Sequence, residues 1–159
     1  MTYDLIEAAP EAIVIHCSDP RFQRAFAEFI QNELALRSGS YIPLVISGGV
    51  GSLAEPLKLP KEFRFMKERL RMFLDRFESI HRLILINHED CRHYEWLQSY
   101  VGKLFLQRFH NLAERQQADL KKAAQLVLGL TSLKLDIELY YARFADANKS
   151  KVVFEKVNL

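Results

Sequence analysis

Leu83-Ile84-Leu85-Ile86-Asn87 runs directly into His88-Glu89-Asp90-Cys91, and this stretch decides how the chain is read. A short, unbroken aliphatic run with no polar alternation predicts a parallel strand covered on both faces. Ala12-Ile13-Val14-Ile15-His16 repeats the design and runs into Cys17-Ser18-Asp19-Pro20-Arg21. Each strand therefore ends in a polar cluster that holds a cysteine. The 159 residues contain 2 cysteines, and these clusters account for both.

Working outward, strands are predicted over 12–16, 42–47, 82–87, 136–142 and, more weakly, 151–157. The first three are near-continuous aliphatic runs; Asp136-Ile137-Glu138-Leu139-Tyr140-Tyr141 alternates more clearly and is expected to expose one side. Helical spacing fills the gaps. Residues 21–37 place Phe22, Ala25, Phe26, Phe29 and Ile30 on one stripe; residues 61–79 do so with Phe65, Met66, Leu70, Phe73, Leu74 and Phe77. Helix signal covers 92–128 in two pieces, and the stretch 51–60, with Pro56 and Pro60, reads as a surface loop. Strands alternating with helices predict an α/β fold: an open, mostly parallel sheet of four to five strands flanked by helices, forming one domain over 1–159. In such sheets, sites form beyond the carboxyl ends of strands, where the strand order reverses. Both cysteine clusters begin at such ends, so neighbouring strands can bring them together.

Bulk properties narrow the classes of function. A net charge of +2 is too small to argue for nucleic acid or an acidic membrane surface, and the mixed charges of 61–79 read as a solvated face. No apolar run approaches the roughly 20 residues that span a bilayer. The start, Met1-Thr2-Tyr3-Asp4-Leu5, lacks a secretory pattern. Two cysteines without an export signal favour the reducing cytoplasm, where metal binding or catalysis outranks a disulfide.

Two thiolates and an imidazole make a soft three-ligand set that suits Zn²⁺ and leaves a fourth tetrahedral position open. His88 and Cys91 lie three apart, so one turn at a strand end can aim both at an ion, with Cys17 arriving from the next strand. Free cysteines are commonly small core residues; a polar strand-end setting for both, with a histidine at ligand spacing, favours the metal. Asp19 can bind the metal, accept a hydrogen bond from water on it, or cap a helix starting near Pro20, and Arg21 can hold Asp19 bidentately. Ser47-Gly48-Gly49-Val50-Gly51-Ser52 matches neither nucleotide-binding glycine pattern and reads equally as a tight turn or a pocket wall. His93 and His16 read as structural or solvated, with His16 pointing away from Cys17.

C-x-D-x-R followed by H-x-x-C, each at a strand end, resembles the β-class carbonic anhydrases, with Cys17, Asp19, Arg21, His88 and Cys91 matching the motif. The resemblance implies a zinc lyase that reversibly hydrates carbon dioxide to bicarbonate. It further implies that Cys17, His88 and Cys91 hold zinc, that Asp19 orients an attacking zinc-bound hydroxide, and that Arg21 holds Asp19. A homodimer or higher homo-oligomer is implied as well. The alternatives are a structural zinc module, or hydrolysis of another small electrophile such as carbon disulfide or carbonyl sulfide. The chain departs from the family at Pro20, where a small residue is usual, and at Arg92, where glycine is usual. It also lacks the Arg-Asn-Ala-Gly stretch, whose place Ile46-Ser47-Gly48-Gly49 takes. These differences imply a divergent branch.

Overall fold

The computed structural model describes residues 1–101, 110–130 and 135–159. Five strands form one sheet: β1 (Ala12–Cys17), β2 (Tyr41–Ile46), β3 (Arg82–His88), β4 (Asp136–Phe144) and β5 (Val152–Lys156). Their order is β2-β1-β3-β4-β5. The first four are parallel, and β5 returns antiparallel to β4. The helices are α1 (Gln23–Asn32), α2 (Gly51–Ala54), α3 (Pro60–Arg76), α4 (Arg92–Val101) and α5 (Leu112–Leu128).

Alternation along β1 and β3 sends apolar side chains to both faces of the sheet. Ile13, Ile15, Leu83 and Leu85 pack with Leu53, Met66, Leu70, Leu120 and Ala124 from α2, α3 and α5. Val14, Ile84 and Ile86 pack on the other side with Phe22, Phe26, Phe29 and Ile30, on and just before α1. Every residue of β1 is buried, as the uninterrupted aliphatic run requires. β4 is buried over Leu139–Ala142, more deeply than its alternating pattern suggested, because Leu139 and Tyr141 pack with α5 on one face and Tyr140 and Ala142 with α1 on the other.

Several boundaries differ from expectation. β2 is not covered on both faces: it is the sheet's edge strand, and Val45 is 42% exposed. The stretch 51–60 is not simply a surface loop, because Gly51–Ala54 form one helical turn with all four residues buried. The small Gly51, Ser52 and Ala54 let α2 pack closely on α5 and α3, with Leu53 filling the core between them. Phe65, expected on the apolar stripe of α3, is 50% exposed, while Met66, Leu70 and Leu74 carry the buried face. Of the predicted helical stretch 92–128, residues 102–109 lie outside the described residues; on either side stand α4 and α5. Asn111 caps α5, its side chain accepting from the Glu114 N–H at 3.0 Å.

The chain passes from β1 outward to β2, then back across β1 to β3. The reversal lies between β1 and β3, whose carboxyl ends carry the two cysteine clusters.

Candidate metal centre

Cys17 is the last residue of β1 and His88 the last of β3. Asp90 takes a left-handed conformation (φ 57°), which turns the chain sharply before Cys91 and α4. The Cys17 and Cys91 sulfurs come to 3.8 Å from each other, both free and both buried. A disulfide needs about 2.05 Å, whereas two sulfurs bound at about 2.3 Å to one tetrahedral ion stand about 3.8 Å apart. Donor atoms of Cys17, His88 and Cys91 all lie within 4.8 Å of one another.

The histidine presents a lone pair to this point. His88 Nδ1 is 2.8 Å from the carbonyl oxygen of Glu89. A carbonyl only accepts, so Nδ1 carries the proton and Nε2 is bare. Nε2 is buried without a hydrogen-bond partner. Leaving such an atom unsatisfied costs about 1–3 kcal/mol, which a metal ion relieves. The donor chemistry and the orphaned nitrogen both fit zinc.

The sulfurs share their charge unevenly. The Cys91 thiol donates to Cys17, which outweighs burial and holds the Cys17 thiol below its ordinary value. Cys91 is pushed up, by that same hydrogen bond first and by burial next. Main-chain N–H groups favour thiolate at both: Gly48 N donates to Cys17 Sγ at 3.3 Å, and the amides of His93 and Tyr94 face Cys91.

Asp19 and Arg21 stand beside the sulfurs as a closed pair. Asp19 Oδ1 accepts from the Arg21 main-chain N–H and from Nε, both at 3.0 Å, and Oδ2 accepts from Nη2 at 2.7 Å. The Arg21 guanidinium holds the Asp19 carboxyl below its ordinary range. The expected helix cap at Asp19 is corrected: α1 starts at Gln23 after Phe22, and the carboxylate closes a local turn on Arg21 instead. Its side chain is only 7% exposed.

Gly48 (φ 76°) and Gly49 (φ 52°) form the glycine turn. It is a tight turn, and of the stretch 47–52 only Ser47 lines the cavity over the sulfurs. A Cβ on Gly49 would come 3.1 Å from the Cys17 nitrogen, and one on Gly48 would come 2.2 Å from His93 Cδ2. His93 is tied down, its Nδ1 lying 3.1 Å from Ser47 Oγ. His16 turns away, stacking on Phe26 at 4.6 Å. A cavity of about 390 Å³ opens over the sulfurs, lined by Cys17, Ser18, Asp19, Pro20, Arg21, Ser47, Cys91, Arg92 and His93.

Two supports escaped sequence reasoning. Arg21 also donates through Nη1 to Asp90 Oδ2 at 3.1 Å, and Lys149, from the β4–β5 connection, reaches the same oxygen at 2.9 Å. Behind the sulfurs, Asn87 Nδ2 donates to the Gln116 carbonyl at 2.9 Å and to Tyr94 Oη at 3.4 Å, while its Oδ1 accepts from Val50 N at 3.4 Å. Tyr94 Oη donates to Asp119 at 3.0 Å, Asp119 pairs with Arg115 at 3.0 Å, and Arg115 pairs with Glu55. The one available signal was the i,i+4 spacing of Arg115 and Asp119.

No protein-family model and no curated protein matches the chain. Solved structures do. β-Carbonic anhydrase isoform I of the protozoan Trichomonas vaginalis aligns over 99% of this chain and 87% of its own, with TM-score 0.57 and 11% identity. One of two tetrameric β-carbonic anhydrases of the filamentous ascomycete Sordaria macrospora aligns over 96% and 82%, with TM-score 0.50 and 14% identity. At such identities the likeness speaks for architecture. The chain thus has a divergent form of the β-carbonic anhydrase fold, with a potential Cys–His–Cys metal site at its strand ends.

Proposed function

We propose that the chain is a zinc-dependent lyase that reversibly hydrates carbon dioxide to bicarbonate and a proton. The observation that carries this reading is the convergence of Cys17, Cys91 and the bare His88 Nε2 beside the Asp19–Arg21 pair. Cys17, His88 and Cys91 would hold zinc, which when bound supplies a Lewis acid that lowers the pKa of water to about 7. The chain's own residues prepare that chemistry. The amides of Gly48, His93 and Tyr94 favour the thiolate form at both sulfurs, and the Glu89 carbonyl fixes the His88 tautomer. Arg21 engages both oxygens of Asp19, which makes the carboxylate a fixed acceptor at the cavity wall. Oδ1 accepts twice from Arg21 but Oδ2 only once, so Oδ2 retains a lone pair with which Asp19 can take a hydrogen bond from the attacking water and orient it towards carbon. The cavity is ample for carbon dioxide. A homo-oligomer accords with an open sheet edge at β2, and light scattering tests it.

Metal analysis and stopped-flow hydration test the reading in sequence. The expected results are about one zinc per chain and a hydration rate that rises with pH through neutrality. Protein holding under about half an equivalent of metal would remove the metal site. Fully loaded protein no faster than buffer at alkaline pH would leave zinc as a structural element only.

A further inference from the structure

Arg92 is the first residue of α4, lines the cavity over the sulfurs, and is exposed. It makes no hydrogen bond or ion pair with another described residue. Its neighbours in the cavity wall are accounted for. Asp19 in the wall, and Asp90 next to Cys91 in sequence, are balanced by Arg21 and Lys149. Two thiolates would balance a divalent ion. Asp19 is the only acidic residue among those lining the cavity. One positive charge is left over, on a guanidinium whose planar fork matches a carboxylate edge. Ser18 and Ser47 add hydroxyl groups to the same wall.

We propose that Arg92 makes this cavity a receptor for a monoanion with a carboxylate-type pair of oxygens, so that Arg92 determines which ligands the site retains. Bicarbonate is the smallest such ligand. At about 390 Å³ the cavity holds on the order of ten waters at about 30 Å³ each, so a larger carboxylate also fits. The inference deepens the hydration reading and rests on it for the charge balance of the two sulfurs. Under that reading, Arg92 slows release of the anionic product and lowers the KM for bicarbonate.

Calorimetric titration with bicarbonate and with acetate tests this, using zinc-loaded wild type, Arg92→Gln and Arg92→Lys, with acetamide as the uncharged control. Arg92→Gln is expected to weaken both anions about tenfold, the effect of one partly screened charge. Zinc content and acetamide affinity are expected to stay unchanged, and Arg92→Lys, which keeps the charge but loses the planar fork, to fall between wild type and Arg92→Gln. Equal anion affinity in wild type and Arg92→Gln overturns the proposal, as does a loss in Arg92→Lys as large as that in Arg92→Gln. Wild type that binds no metal, yet holds acetate in an Arg92-dependent way, sinks the lyase reading while sustaining the anion receptor. Loaded protein with Arg92-independent anion binding does the reverse.

Discussion

Arg21 and Asp90 are joined twice: Nη1 donates to Oδ2 at 3.1 Å and Nη2 to the main-chain oxygen at 2.7 Å. The arginine that holds Asp19 on the β1 side is thereby anchored to the turn that carries Cys91 on the β3 side.

Asp90→Asn keeps the main-chain acceptor but removes the charge that Arg21 and Lys149 share. The pair is partly exposed, so a stability loss of no more than about 1 kcal/mol is expected. A freer Arg21 loosens Asp19, and hydration is expected to fall several-fold at unchanged zinc content. Thermal melts with parallel stopped-flow rates check this; an unchanged rate would show that Asp19 holds Arg21 in place unaided.

Gly48→Ala brings two costs, a left-handed φ of 76° and a methyl 2.2 Å from His93 Cδ2. Destabilisation of about 1–3 kcal/mol is expected from the backbone alone, with weaker zinc retention as the Gly48 N–H shifts from Cys17. Adding His93→Ala removes the clash but not the strain. The double variant should therefore recover only part of the loss in chemical denaturation.

Cys17→Ser, Cys91→Ser and His88→Ala each remove one donor, and zinc affinity is expected to drop by at least about a hundredfold. Metal bound only by the native state stabilises it by mass action. Chelator should then lower the melting temperature of wild type and leave these three variants almost unmoved. A zinc-loaded wild type whose melt does not move on adding chelator contradicts the site.

Glu55 supplies a pH dependence away from the sulfurs. Burial raises its carboxyl, but Arg115, Lys122 and Lys58 together outweigh that and hold it below the ordinary carboxylate value. A folded value below the unfolded one gives stability that is fully present above the unfolded value and lost as pH falls through the folded one. Glu55→Gln leaves buried Arg115 with Asp119 as its remaining carboxylate in the chain from Tyr94 to Glu55, and is expected to cost about 3 kcal/mol near neutrality. The gap between wild type and variant should close in strong acid. A gap independent of pH would assign the loss to packing.

Much of this was legible along the chain. The runs at 12–16 and 82–87 were apolar without alternation, and only strands covered on both faces tolerate that. The two cysteines, the histidine three residues before one of them, and the aspartate two after the other all sit where such strands end. The edge position of β2 was not legible, because its aliphatic composition resembles that of β1. The turn of α2 was masked by glycine and nearby prolines, whose local preference the packing against α5 overrides.

The sequence by itself determined which segments become strands and which side chains wait at their ends, since both depend on local periodicity and residue chemistry. Tertiary structure alone decided that β1 and β3 are neighbours, that two sulfurs 74 positions apart lie at 3.8 Å, and that His88 Nε2 is left bare between them. It also recruited Asp90, Lys149 and Asn87, whose partners are 69, 59 and 29 positions away. Hydrogen bonds of that span leave no periodic trace, because each depends on where two separate elements dock and not on the order of residues within either.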